Sequence, residues 1–449
     1  MELPGTDITA PRKKVYPRHV EGRLRNLRTF FSILLQGLLF LIPWLQWEGR
    51  QAMLADVPGR KLFLFGLVLH PQDTYFLHLL LISGAITLFL VSAIAGRMWC
   101  GYACPQTIFT QSFLMVERWF EGDRAARIRL DRSPWNAEKL ARKLGKRAAW
   151  CVMGGWLGFT FAGYFLPIRE MAAQLLSGQV STTTGLAMAF FTAISLFDFG
   201  YFREQFCCYL CPYARFQGAM LDSNSLIVGY DARRGEPRGK LKDPARGSCI
   251  DCGMCVQACP TGIDIRKGLQ LECIACTACV DACDAVMDKI EQPRGLVRYS
   301  SLNGLEGKPT RVLRPRVLLY SALLLALGSL LVYLVWNRSP LGVDAIRVVP
   351  PGGQLAATTP DGRISNVFKI NLINRLAVPE QVWIEAEGLE GAEIVGLQAP
   401  VQLKSGQVFE AQVLVLVPQK MARGSHPFRF QAHNQKDLKI SKESSFFVP

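Results

Sequence analysis

Histidine and charge are both scarce in this chain. Five histidines in 449 residues argue against a bis-histidine haem protein, and only 19% of the residues are charged while 50% are hydrophobic. That apolar content excludes a disordered chain. It also argues against a single soluble domain, because chains beyond about 250–300 residues usually split into domains. No Gly-x-Gly-x-x-Gly follows a strand-like run and there is no P-loop lysine, so neither dinucleotide nor ATP binding is expected. Cysteine is missing throughout 337–449, so no disulfide can staple that part of the chain. All fourteen cysteines fall earlier, most of them at tight, regular spacings that read as metal ligation rather than as a disulfide framework.

Long apolar runs organise the first three quarters of the sequence. Crossing about 30 Å of hydrocarbon takes roughly 20 mostly apolar residues in a helix. Five runs qualify as spans: 28–47, 75–95, 148–166, 185–201 and 317–336. The fourth is short and carries Asp198 near one end. The basic arm 1–27 holds Arg12, Lys13, Lys14, Arg18, Arg23 and Arg25, and the loop 96–147 is richer still in Lys and Arg. Segment 203–316 is also basic, whereas 48–74 is balanced and 167–184 carries only Arg169 and Glu170. The positive-inside rule therefore puts the N-terminus and the basic loops in the cytoplasm and the C-terminus outside. The first span follows a long charged arm and lacks a small-residue cleavage site, so it reads as an uncleaved anchor. Basic loops facing anionic membrane lipid account for the net charge of +15 without a nucleic-acid partner.

Beyond the fifth span, 337–449 changes to short alternating runs such as 367–373, 381–385 and 408–414, separated by Gly and Pro. Period-two alternation of this kind predicts strands, and enough of them for a β-sandwich. The absence of cysteine makes this a packing or partner-docking module rather than a catalytic one.

Between the fourth and fifth spans, within 240–295, lies Cys249-x2-Cys252-x2-Cys255-x3-Cys259-Pro260, followed by Cys273-x2-Cys276-x2-Cys279-x3-Cys283. Three thiolates two residues apart can hold three corners of a cubane, with the fourth ligand coming from the other run. Cys249, Cys252, Cys255 and Cys283 are thereby assigned to one 4Fe-4S cluster, and Cys259, Cys273, Cys276 and Cys279 to a second. Two zinc sites are the alternative, but zinc knuckles do not normally repeat three-plus-one spacing twice in tandem. Asp284 stands where such a motif usually ends in proline, a departure that removes no ligand.

A second cysteine pattern lies at the membrane boundary. Cys100-Gly-Tyr-Ala-Cys104-Pro105 follows the second span, and Cys207-Cys208-Tyr-Leu-Cys211-Pro212 opens the segment 203–235 after the fourth. A shift of 107 residues superposes the two pairs, and with them Tyr102 on Tyr209 and Phe109 on Phe216. This predicts two helical hairpins in a parallel repeat that brings both motifs to the cytoplasmic face. Proline favours the first position of a helix, so Cys104 and Cys211 are expected to cap helices, where a thiol has its pKa lowered. Soft thiolates here suit Cu(I) or an iron-sulfur centre; buried cysteines in turns are the plain alternative. Cys208 has no cysteine counterpart in the first motif. Cys151 reads as a packing residue of the third span, His70 and His78 as interfacial anchors, and Asp198 as a helix-end acid.

This order of elements resembles the CcoG/FixG (RdxA) family of bacterial cytochrome c oxidase accessory proteins. The resemblance runs from the basic arm to the β domain, and 197–217 is its most specific piece. It implies an inner-membrane protein with an immunoglobulin-like periplasmic tail that helps assemble the cbb3-type oxidase by reducing Cu(II) to Cu(I). The expected fold is then a five-span membrane α-helical protein with an inserted double 4Fe-4S bacterial-type ferredoxin domain and a C-terminal immunoglobulin-like sandwich. Two 4Fe-4S clusters and a copper ion would be bound. Cys100, Cys104, Cys207 and Cys211 would be the reactive copper-holding thiols, joined by Cys208. Expected partners are a cytoplasmic electron donor, cbb3-type oxidase subunits or copper chaperones, membrane lipid and a second copy of the chain. A NapH-like quinol-linked electron-transfer subunit and a non-enzymatic assembly scaffold are the two rival readings.

Overall fold

Helix boundaries follow the capping residues in the chain. The computed structural model describes residues 14–449 except 48, 350–354, 377, 405, 419–420 and 436–437, and leaves aside the side chains of 72, 215 and 219. Arg12 and Lys13 of the basic arm lie outside the described residues. Among the described residues, nine α-helices lead to the ferredoxin segment: α1 Arg23–Leu41, α2 Thr74–Ala95, α3 Met98–Tyr102, α4 Pro105–Glu121, α5 Arg124–Arg132, α6 Ala137–Ala162, α7 Ile168–Ser177, α8 Thr182–Ser195 and α9 Pro212–Met220. Asn136 caps α6 by accepting the Lys139 N–H at 2.7 Å, and Ser181 caps α8 by accepting that of Thr184 at 3.2 Å.

Among the described residues, four helices are long and apolar enough to cross a membrane: Arg23–Trp44, Thr74–Ala95, Thr182–Phe202 and Pro315–Trp336. The third expected span, 148–166, falls on the second half of α6. The first turns of that helix carry Glu138, Lys139, Arg142, Lys143, Lys146 and Arg147. Its apolar part rises only about 22 Å, short of the hydrocarbon thickness. Four full-length helices and this shorter one therefore stand where five spans were expected. The α6 and α8 backbones approach closely at Gly158, where a Cβ would lie 2.8 Å from the Met188 carbonyl oxygen. Small residues serve this purpose where helices cross in lipid. Cys151 is exposed on α6 rather than packed. His70 is buried, and its backbone N–H donates to Asp73 Oδ2 at 3.2 Å, closing the turn that leads into α2.

The fourth span does not end as a regular helix. α8 runs into a π-helical turn, Leu196–Phe202, and a second π turn, Phe206–Leu210, carries Cys207 and Cys208. Such wide turns re-aim side chains and often occur at functional sites.

On the polar side, α4, α5 and α6 are tied by buried charges. Glu117 meets Arg203 at 2.9 Å, Lys146 at 3.2 Å and Arg127 at 3.3 Å, and Glu121 meets Lys146 at 2.6 Å and Lys143 at 3.0 Å. Both glutamates are fully buried. Lys146 Nζ and the Arg203 guanidinium also lie 4.7 and 5.2 Å from the Trp150 ring centroid. Part of the basic charge read as positive-inside is thus internal structure that holds α4 in place.

In the ferredoxin segment, strands Ile227–Tyr230 and Val297–Ser300 pair antiparallel, and helices Met254–Ala258 and Ala278–Lys289 each begin inside one cysteine run, the first carrying Cys255 and the second Cys279 and Cys283. Tyr230, Ile265, Val280, Met287, Leu296 and Val297 form their common apolar core.

The C-terminal part is a sandwich of two antiparallel sheets. One runs Glu393–Val395, Val408–Val417, Ile364–Asn374, Leu341–Arg347, and the other Val401–Leu403, Glu380–Glu387, Gly424–Asn434, Lys439–Val448. In-register pairs such as Ile370 with Ala411 and Phe430 with Lys442 set which side chains face inward. Phe368, Phe430 and Phe446 are fully buried, and the Phe368 ring lies 5.2 Å from that of Phe430 and 5.5 Å from that of Phe428. Burial of these aromatics together with the surrounding Val, Leu and Ile side chains stabilises a domain without disulfides.

Candidate metal centres

The two ferredoxin runs fold onto each other with the same backbone turn. On either side of the middle cysteine the chain adopts positive φ, at Asp251 and Gly253 around Cys252 and at Ala275 and Thr277 around Cys276. Left-handed backbone at three residues other than glycine costs free energy, and such conformations concentrate at functional sites. Each turn curls the loop around a cavity. One cavity is lined by Cys249, Cys252, Cys255 and Cys283 with Val286 and Leu296; the other is lined by Cys259, Cys273, Cys276 and Cys279 together with Cys255. The fourth thiol of each set comes from the opposite run. Cys283 lies within electrostatic reach of Cys255, Cys249 and Cys252, and Cys273 of Cys276 and Cys259. Burial pushes the Cys283 and Cys273 thiols up to about 12. Buried thiolates are therefore favourable only against a bound cationic centre.

Among the described residues, no three His, Cys, Asp or Glu side chains converge to hold a single metal ion. Around one zinc, thiolates sit about 2.3 Å from the metal and hence close to one another. Four thiols spread around an apolar cavity fit an iron-sulfur cluster better than that. Asp284, the departure from the usual motif, accepts the Gly295 N–H at 2.9 Å and so closes the turn after its helix.

The membrane-boundary motifs are brought together. Cys104 and Cys211 are the N-cap residues of α4 and α9, with Pro105 and Pro212 at the first helical position, as the repeat demands. Cys207 lies within electrostatic reach of Cys104, Cys100, Cys208 and Cys211. The expected lowering of the capping thiol does not occur at Cys104. Its burial raises the pKa and outweighs the Gln106 and Thr107 backbone N–H groups, which act in the opposite sense. Cys100 is pushed up to about 12 and Cys208 to about 11, again chiefly by burial. The repeat is interlocked, because each capped helix bonds to the other hairpin. Gln106 on α4 donates to Asp198 Oδ1 at 2.9 Å. On α9, the Tyr213 hydroxyl and Gln217 bond to Ser92 Oγ at 2.7 and 3.1 Å, and Gln217 accepts the Cys100 thiol at 3.3 Å. Asp198 is thus an internal tie.

Both halves of this thiol group also face the second ferredoxin set. Cys208 occupies the repeat position of Gly101 and lies within electrostatic reach of Cys259. Gly101 packs so tightly on the loop before Cys276 that a Cβ would lie 2.6 Å from the Ala275 carbonyl oxygen. Next to it, the Tyr102 hydroxyl bonds to Thr277 Oγ1 at 3.1 Å. Arg97 donates to the carbonyls of Leu271, Cys273 and Ala214, spanning the ferredoxin loop and α9. Asp281 accepts the Leu24 and Arg25 N–H groups at 3.3 and 2.7 Å, a carboxylate at the N-terminus of α1. Arg97, Gln217 and Asp281 were not singled out in the sequence. A lone arginine two residues before the Trp-Cys pair could have pointed to the first, whereas the other two carry no local signal.

A membrane-associated iron-sulfur redox protein is the class that these elements define. Comparisons with known proteins agree. Residues 202–302 match a family described as a 4Fe-4S dicluster domain, 77–122 one described as a 4Fe-4S binding domain, and 331–449 one described as the IG-like fold at the C-terminal of FixG. Protein RdxB of Cereibacter sphaeroides is 41% identical over 82% of this chain and 81% of its own length. Protein RdxA of the same organism is 39% identical over 88% and 87%. The nitrogen fixation protein FixG of Rhizobium meliloti is 33% identical over 85% and 80%. The chain belongs to the FixG/RdxA family.

Proposed function

We propose that this protein reduces Cu(II) to Cu(I) at its membrane-boundary thiols, in the service of assembling a cbb3-type cytochrome c oxidase. The observation that carries the reading is that Cys207 lies within electrostatic reach of Cys100, Cys104, Cys208 and Cys211, beside the second ferredoxin set. Cys249, Cys252, Cys255 and Cys283 would hold one 4Fe-4S cluster, and Cys259, Cys273, Cys276 and Cys279 the other. When bound, these clusters supply one-electron chemistry over a wide range of potentials. Each cupric ion takes up one electron, and no proton is needed for the metal itself. The ferredoxin domain would face the cytoplasm, where its donor resides, and the β-sandwich would face the periplasm and dock oxidase subunits or copper chaperones.

The chain's own residues supply the rest. Soft thiolates favour Cu(I) over Cu(II), so the ligand set itself pulls the reduction forward. Because partial burial favours the protonated form of Cys100, Cys104, Cys207 and Cys208, copper must displace their protons on binding. Gly101, Tyr102 and Arg97 hold the thiols against the ferredoxin loop.

One observation favours a second reading. The match of 77–122 to a 4Fe-4S binding domain includes Cys100 and Cys104, so the boundary thiols could instead hold a third iron-sulfur centre. Iron analysis separates the two: copper reduction at free thiols requires about eight irons per chain, and a third cubane about twelve.

A further inference from the structure

The cavity beside α4, bounded by 17–20, α1 and the loops around Cys259 and Cys276, is not used by this reading. It is lined by Arg18, Arg25, Arg28, Arg118, Arg127 and Arg203, against which stand two carboxylates, Asp123 and Glu204. Arg127 and Arg203 are engaged with Glu117, and Arg28 donates to the Cys276 carbonyl at 3.1 Å. The Arg118 guanidinium has no hydrogen bond or ion pair among the described residues. Two threonines on one face of α4, Thr107 and Thr110, line the cavity with buried hydroxyls that have no hydrogen-bond partner among the described residues. Thr110 is 6% exposed. An unpartnered buried hydroxyl is costly, and its pairing by a ligand removes the cost. Val20, Leu114, Met115 and Ile274 supply an apolar wall. Six guanidiniums against two carboxylates draw an anion in.

We propose that this cavity binds a small amphipathic organic anion, with its acidic group on Arg118 and the threonine hydroxyls and its body on the apolar wall. The cavity borders Cys207 on one side and Cys276 on the other, so the occupant would lie against both thiol sets. The acidic group could belong to a soluble molecule or to a lipid headgroup; the chemistry is the same.

The test uses the full chain, loaded with its clusters, in phosphatidylcholine nanodiscs, titrated calorimetrically with anthraquinone-2-sulfonate. Saturable binding to one site is expected. Thr110→Val and Arg118→Gln should each weaken it by roughly tenfold or more, the effect of losing a hydrogen bond to a charged group. Unchanged visible absorption of the clusters shows that each variant is folded, and Thr110→Val should melt no lower than the parent because its hydroxyl has no protein partner. Weaker binding in anionic phosphatidylglycerol discs would identify a lipid headgroup as the natural source, and equal binding a soluble anion. No saturable binding in either disc, or equal affinity in parent and both variants, overturns the proposal. Copper reduction by the prereduced protein does not depend on this site, so the two proposals fail separately.

Discussion

Gly101 and Ala275 meet backbone to backbone, leaving no room for a side chain at position 101. That contact seats the first boundary motif on the loop before Cys276. Gly101→Ala must push the two segments apart, at a cost of about 1–3 kcal/mol typical of overpacking. Thermal melting followed at the cluster absorption should shift down. Copper-driven oxidation of the reduced protein should slow, with the iron content close to that of the parent.

Arg97 joins α9 to the carbonyls of Leu271 and Cys273. Its replacement by glutamine removes the charge and most of the donors that hold the loop carrying Cys273. Iron analysis with electron paramagnetic resonance should report the loss of about four irons per chain and one cluster signal, the signal assigned to Cys249, Cys252, Cys255 and Cys283 being retained.

Glu117 gives the protein an acid limit. Burial alone would raise its pKa, but Arg203, Lys146 and Arg127 together bring it from 4.5 down to about 2. A carboxyl depressed on folding stabilises the folded state above its unfolded pKa, and that contribution is lost as the pH falls. Melting temperature should therefore decline from about pH 4.5 downward, through about pH 2. Glu117→Gln leaves buried Arg203 and Arg127 without their carboxylate, and Lys146 with Glu121 alone, and should cost about 3–5 kcal/mol at neutral pH. The decline in acid should be shallower in that variant.

Phe368 fills the centre of the sandwich between Phe428 and Phe430. Phe368→Ala should destabilise the β domain by about 3–5 kcal/mol. Its unfolding, read by β-sheet circular dichroism, should move to lower temperature while the cluster absorption stays intact.

Much of this was legible in the chain. The double cysteine run, the 107-residue repeat and the alternating tail each rest on a strict period, and period is what a linear sequence records best. The caps at Cys104 and Cys211 were readable because Pro105 and Pro212 mark the first turn of a helix. Other features depend on neighbours distant in the sequence. The π turns around Phe199 and Cys207 have no local signature, and the fate of the Cys104 thiol was decided by burial, which outweighs its helix terminus. The charges of α6 looked like loop charges because their partners, Glu117 and Glu121, lie on another helix. The third span was read too far at its other end, since α6 stops at Ala162 and the chain turns through 163–167.

The central claim is that electrons leave the iron-sulfur domain for copper at the boundary thiols. The most direct test mixes dithionite-reduced, dithionite-free protein with Cu(II) in an anaerobic stopped-flow instrument, recording cluster reoxidation while a chromogenic chelator reports Cu(I). The account predicts matched rates for the two signals, both lost in the Cys104→Ser, Cys211→Ser double variant with about eight irons still bound. Clusters that remain reduced in the presence of Cu(II), or a double variant that reduces copper as fast as the parent, would contradict it.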